Sequence, residues 1–306
     1  YRSRGGLSCI DCHMPTSDTP AVDGDVAPLL SVDGPTREGL RSHTFIGADY
    51  PLDADFEDTH RPEREALMQA AVALSIDDLE QTRDGVEFEA VIRNVLSGHN
   101  LPSGFAFARQ LWIEVVVTDQ AGREVFTSGV LADESTDDLC DADTISDDLG
   151  RFVKGCGSPT RADPHLVNLQ GILLDDVEGT DQRDGLGNVV LARAPGAKEV
   201  SVQHVTSGPI ARKRGGIGET LTPIPPGGEG RYRYIIPSSV LSGVTTANIS
   251  LRLRFRNLPP YFLRGLNDLR QPEDGPDLEP LISNLQVVDM AEAKGTVDVR
   301  TSQRYR

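Results

Sequence analysis

The sequence predicts a mainly β protein: a β-sandwich-like domain preceded by an irregular N-terminal segment, with few short helices. Three observations predict it. Short runs with two-residue apolar alternation recur between Val72 and Arg256, Gly, Pro and Asp turns separate them, and residues 1–60 show no sustained apolar period. The chain has 306 residues, enough for one or two domains and a sizeable core. Hydrophobic residues make up 38% and charged residues 25%, the balance of a globular protein rather than a disordered one. The longest apolar runs, such as Leu111–Val117, are strand-sized. A membrane helix needs ~20 apolar residues, so no transmembrane segment is expected.

The elements follow in order. Residues 1–60 are rich in Gly, Pro, Asp and Ser and can hardly build a core alone. A bulky cofactor would explain their place in a folded chain. Pro62, suited to a first helical position, opens a helix over Glu63–Ala71. A segment 1–71 and a sandwich domain 72–306 with a C-terminal extension are the expected divisions. Val72, Leu74 and Ile76 alternate with Ala73, Ser75 and Asp77; after the turn Arg83-Asp84-Gly85, Val86, Phe88, Ala90 and Ile92 alternate again. Leu111–Thr118 and Glu124–Ser128 flank the turn Gln120-Ala121-Gly122. His165–Leu174, Val189–Ala192 and Glu199–Thr206 are weaker strands, and Pro223–Gly230 is a Pro/Gly loop before the stronger Arg231–Ile236. In Asn248–Arg256, Ile249, Leu251, Leu253 and Phe255 face one way; Ser250, Arg252, Arg254 and Arg256 face the other, which reads as a wet face. Pro259–Leu269 is a short helix and Leu285–Met290 a last strand.

Chemistry concentrates at Cys9-Ile10-Asp11-Cys12-His13, a C-x-x-C-H run. That spacing suits covalent haem c: two thiols add to the porphyrin vinyl groups and the adjacent imidazole lies under the iron. Zinc would want a second ligand pair nearby, and Cys140 and Cys156 lack that spacing. A redox dithiol would sit at a helix start after a strand, and residues 1–8 are not strand-like. The second axial ligand is then His, Met or none. Met14 is adjacent to His13 and cannot reach across the ring; Met68 and Met290 are distant in sequence. His43, in the same core-poor segment, is the favoured distal ligand.

His99, in Ser97-Gly98-His99-Asn100-Leu101-Pro102 at a strand end, has two readings: an axial ligand or propionate partner, or a histidine that locks its loop. His60 reads as a helix-start residue in preference to a ligand, and His165 and His204 lie in apparent strands. A c-type haem is assembled outside the cytoplasm, where disulfides persist, so Cys140 and Cys156 are expected to be bridged. Such a bridge stabilises by on the order of 3 kcal/mol in the chain-entropy picture. The loop between them carries Asp141, Asp143, Asp147 and Asp148. It is a solvated acidic loop or a Ca²⁺ site without EF-hand spacing.

The formal charge is −17, from 47 acidic and 30 basic side chains, which would repel a phosphate backbone; nucleic acid is not an expected partner. There is no G-x-S-x-G, no H-E-x-x-H and no phosphate-cradling loop, for Arg214-Gly215-Gly216-Ile217-Gly218 lacks the Gly-Lys-Ser/Thr ending. The chain opens at Tyr1 without the pattern of a secretion leader, so it reads as a mature form or a fragment.

Cys9–Pro15 followed by His43-Thr44-Phe45-Ile46-Gly47 resembles the last haem site of multihaem c-type cytochromes, which often end in a β-rich domain. The resemblance continues through Gly98–Gly104, Arg109-Gln110-Leu111-Trp112 and Arg254–Arg264. It implies His13 as proximal and His43 as distal ligand. It also implies a periplasmic or extracellular electron carrier, one link of a multihaem relay, and no catalytic residue of its own. Partners would be other haem-bearing chains, copies of itself, or redox proteins. A subunit of a multihaem reductase and a structural subunit of an extracellular cytochrome filament are the rival expectations. One departure stands out: relatives of this kind carry several C-x-x-C-H motifs and this chain has one.

Overall fold

The computed structural model describes residues 8–14, 41, 45–53, 57–104, 109–140, 163, 165–175, 200–204, 212–213, 224–269 and 275–300. In chain order these form α1 (Cys9–His13), α2 (Arg61–Ala71), β1 (Val72–Gln81), β2 (Gly85–Asn94), β3 (Gln110–Thr118) and β4 (Glu124–Ser128). There follow β5 (Val167–Asn168), β6 (Gly171–Asp175), β7 (Val200–His204), β8 (Arg212–Lys213), β9 (Glu229–Pro237) and β10 (Thr246–Arg256). The chain ends with α3 (Pro260–Leu269), a 3₁₀ turn (Glu279–Asn284) and β11 (Val287–Asp298).

Two antiparallel sheets dominate. One runs in the order β1-β2-β9-β8, the other β11-β10-β3-β4 with β5 also on β3; β6 and β7 pair separately. The alternation read from the sequence sets which side chains meet between the sheets. Val86, Phe88, Ala90 and Ile92 of β2, with Tyr232, Tyr234 and Ile236 of β9, share one buried cluster with Leu111, Ile113, Val115 and Val117 of β3 and Ile249, Leu251, Leu253 and Phe255 of β10. The Phe88 and Tyr234 rings stack at 5.2 Å. Where β11 meets β1, a Cβ on Gly295 would lie 2.8 Å from Leu79 Cδ2, so only glycine allows this approach without a shift. Met68 of α2 and Val72 join the same core.

The outer face of β10 departs from the sequence expectation. Arg254 and Arg256 are buried, at 2% and 0% exposure, not wet. Arg254 pairs with Glu114 (2.8 Å), Asp289 (2.7 Å) and Glu134. Arg256 donates to Gln110 Oε1 at 2.9 and 2.6 Å and to the carbonyls of Glu134 and Asp137, both at 2.9 Å. Trp112 lies beneath both guanidinium groups. The stretch from Glu134 to Asp138 folds over this face, and Asp138 in turn takes the Tyr261 N–H and Arg264. Alternation tells which side a residue faces; it does not tell whether a later segment covers that side.

Smaller differences have similar causes. β11 runs far past Met290, because Ala291, Ala293 and Gly295 on its inner side give too weak an apolar signal to extend the strand from sequence. His165–Leu174 resolves into β5 and β6, with His165 in a turn before them. The expected strand Val189–Ala192 lies outside the described residues.

Phe88 tests the core. It is 1% exposed and stacked on Tyr234, so Phe88→Ala loses both transfer free energy and a filled volume. The expected cost is about 3–5 kcal/mol in chemical denaturation of the purified protein. A change below 1 kcal/mol is incompatible with this packing.

Candidate functional site

The C-x-x-C-H run forms the whole of α1. Asp11, at its third position, accepts the Ser8 N–H and the Ser8 hydroxyl on Oδ2, both at 2.7 Å. Its other oxygen takes Arg41 at 2.5 Å. Arg41 also donates to the carbonyl of Met14 at the end of the turn (3.2 Å) and to that of Ile10 (2.9 Å), which takes the Met14 N–H as well. The two ends of the turn are thus tied by one carboxylate and one guanidinium. Those bonds, led by the Ser8 N–H, hold the Asp11 carboxyl down at about 2.

Cys9 is exposed and Cys12 half-buried, and both are free thiols. His13 Nδ1 sits 2.5 Å from the carbonyl of Ile46. A carbonyl only accepts, so Nδ1 carries a proton, and in the neutral ring Nε2 is the bare nitrogen. That is the tautomer an iron ligand needs, with its orientation fixed by the outer hydrogen bond.

Ile46 begins a strap that binds back onto the sandwich. Arg109 pairs with Asp49 through both terminal nitrogens and holds that carboxyl below its usual range. The Tyr50 hydroxyl accepts the Gln286 N–H at 2.6 Å, and burial pushes it up to about 12. Asn284 donates to the Leu52 carbonyl at 2.8 Å, and Arg64 stacks over the Tyr50 ring while pairing with Asp58.

Between α1 and the sandwich lies a cavity of about 350 Å³. Ser8, Cys9, Cys12 and His13 form one wall; Leu67, Met68, Ala70 and Ala71 of α2 form another. Leu111, Phe255 and Met290 contribute the sheet wall, and Leu96–Ser103 the rim, with Arg109 and Gly104 beside it. Two free thiols and a bare imidazole nitrogen at the edge of a largely apolar cavity match the needs of a covalently bound, flat, apolar macrocycle. The residues therefore fit haem c: Cys9 and Cys12 would hold it and His13 would ligate its iron.

The sequence-predicted residues divide clearly. Cys9, Cys12, His13 and His99 come together at this cavity. His43 lies outside the described residues, as do Cys156 and Asp141, Asp143, Asp147 and Asp148 of the acidic loop. At the base of that loop the Asp163 N–H donates to the Cys140 carbonyl at 2.7 Å. His60 is the N-cap of α2, His165 lies against Phe126, and His204 pairs with Gly171 in the β6–β7 ladder. Among the described residues no group of three or more His, Cys, Asp or Glu is placed to hold a bare metal ion. No helix among them is long and apolar enough to cross a membrane. The supports at Arg41, Ile46, Asp49 and Asn94 were not read from the sequence. A further support, Ser8 with Asp11, does carry a local signal, the helix-start pattern Ser8-x-x-Asp11.

No protein-family model matches the chain, and no curated protein matches it in sequence. Among solved structures it is similar to a penta-heme cytochrome c552 from Thermochromatium tepidum, with 16% identity and a TM-score of 0.46. That likeness covers 95% of this chain and 47% of the other, so this chain spans about half of its length. At so slight a likeness, the assignment rests on the residues of the site.

Asp11 gives a pH test. Its carboxyl is depressed in the folded state, so its contribution is complete above the unfolded value near 3.9 and is lost as pH falls toward about 2. Asp11→Asn removes that contribution. The gap in thermal midpoint between wild type and variant is expected to be constant above pH 5 and to close between pH 4 and 2. A gap that does not narrow there contradicts the Ser8–Asp11–Arg41 anchoring.

Proposed function

We propose that this chain is an extracytoplasmic c-type cytochrome carrying one covalent haem c. It holds that group through thioether bonds at Cys9 and Cys12 and through His13, and works as an electron carrier. The observation that carries the reading is one helical turn with two free thiols and an Nδ1-anchored histidine, lining an apolar cavity. When bound, haem supplies an iron that cycles between ferric and ferrous states. The protein's part is ligand supply, burial and orientation. Ile46 fixes the His13 ring; α2 and the sheet edge would shield the bound group from water; a second histidine, His43 or His99, would complete its ligand set. Two histidine ligands leave no position for a substrate, which favours electron transfer over catalysis.

The carrier is one link of a longer relay, with the remaining haems on other chains, on copies of itself or on redox partner proteins. The support is the single C-x-x-C-H in a sandwich-sized chain whose motifs resemble multihaem cytochromes. Assembly of haem c in the periplasm or at the cell surface also favours a bridge between Cys140 and Cys156. Its support is the loop base already closed at Cys140 and Asp163.

Two measurements test this. Protein matured in a cell with haem-attachment machinery is expected to show one haem per chain by denatured intact mass and by its pyridine haemochrome. Substituting both Cys9 and Cys12 by Ser is expected to abolish attachment. An unmodified wild-type mass under those conditions rejects the reading. Peptide mapping without reduction is expected to recover Cys140 linked to Cys156; labelling of both as free thiols in native protein rejects the bridge.

A further inference from the structure

The loop that follows β2 holds His99 as deliberately as the strap holds His13. Asn94, at the end of β2 and 1% exposed, donates through Nδ2 to the His99 carbonyl at 2.9 Å and to the Ile224 carbonyl at 3.0 Å. Leu101 and Ile224 exchange backbone hydrogen bonds at 3.0 and 2.9 Å. The Gly227 N–H adds a bond to the Asn94 carbonyl. Residues 98–101 are therefore fixed to the Pro/Gly loop behind them, although the His99 side chain itself is exposed at the cavity rim.

The ring of His99 is oriented as well. Ser97 Oγ lies 2.8 Å from His99 Nδ1 and 2.9 Å from the His99 carbonyl. A hydroxyl has one hydrogen. Spent on the carbonyl, it leaves Oγ as an acceptor toward the ring, and the Asn100 carbonyl at 3.3 Å from Nδ1 is also an acceptor. Nδ1 therefore carries a proton, and in the neutral ring Nε2 is the bare nitrogen. His13 and His99 border one cavity in the same tautomer, each with Nδ1 bonded to an oxygen acceptor.

Other groups at the cavity fit less well. Met68 and Met290 belong to the buried apolar core and serve as wall. Arg41, before His43 in the chain, and Ile46, after it, both meet the α1 side of the site: Arg41 bonds α1 itself, and Ile46 bonds Nδ1, the ring nitrogen of His13 that would not bind the metal.

We propose that His99, rather than His43, is the second axial ligand, with Ser97 as the residue that sets its tautomer. The proposal rests on the haem reading above. Its test uses the full chain with haem attached, and intact mass on every variant separates loss of haem from loss of a ligand. Ferric wild type is expected to be low-spin, with the magnetic circular dichroism and paramagnetic resonance signatures of two histidines. His99→Ala is expected to turn high-spin while keeping its haem, and to regain the low-spin spectrum when imidazole is added. His43→Ala is expected to stay low-spin. Ser97→Ala, a mild change that leaves the ligand in place, is expected to stay low-spin with a raised midpoint potential. The lost hydrogen bond makes the imidazole a poorer donor to ferric iron. A low-spin two-histidine spectrum in His99→Ala overturns the proposal, as does a high-spin His43→Ala or a sulfur-to-iron absorption band in wild type. An unchanged potential in Ser97→Ala overturns the role of Ser97.

Discussion

The hydrogen bond from His13 to the carbonyl of Ile46 is the hinge between two unlike parts of this chain. On one side is a single helical turn in a segment too poor in apolar residues to fold by itself. On the other is a sandwich with a full core. The described residues 46–53 and 57–58 join them, secured at several independent points. Asp49 pairs with Arg109, Tyr50 meets Gln286, Leu52 meets Asn284, and Asp58 pairs with Arg64. Exposed ion pairs contribute little singly. Here the charged ends Arg64 and Arg109 are mostly covered, and the Leu52 carbonyl takes the Asn284 amide. Position, more than stability, is what these contacts provide: they place the C-x-x-C-H turn over a cavity whose far wall is already rigid.

That rigidity comes from burial on both faces of the second sheet. The inner face packs against the first sheet, and the outer face is sealed by arginines that meet carboxylates, an amide and backbone carbonyls beneath the 134–138 stretch. A buried guanidinium without such partners would cost several kcal/mol, so this network is all-or-none in its geometry. The strand that carries it, β10, also delivers Phe255 to the cavity wall, and its neighbour β3 delivers Leu111. The apolar wall of the cavity is therefore built from the same residues that hold the sandwich together, and under the proposed function it would surround the haem.

The strands β1, β2, β3, β9 and β10 were legible in the sequence because their alternation is strong and long. The thiols and His13 were legible because their spacing is local. What the sequence did not disclose is non-local in each case. Arg254 and Arg256 read as solvated because the covering stretch lies more than a hundred residues earlier in the chain. β11 was cut short because alanine and glycine on an inner face carry little hydrophobic signal. His99 could be placed at a strand end but not over a cavity, since that depends on Asn94 tying its loop to Ile224. Arg41 and Ile46 serve through a guanidinium and a carbonyl whose targets no residue type or spacing announces.

Under the proposed function, haem attached at residues 9–13 would be enclosed between α2 and the sheet edge and would not hang from a solvated arm. Nuclear Overhauser contacts from the haem substituents in the ferrous, diamagnetic protein read this directly. The account predicts contacts from the macrocycle to Met68, Leu101, Phe255 and Met290, the side chains that wall the cavity. Contacts confined to residues of the N-terminal segment, with none to α2 or the sheet edge, would contradict it.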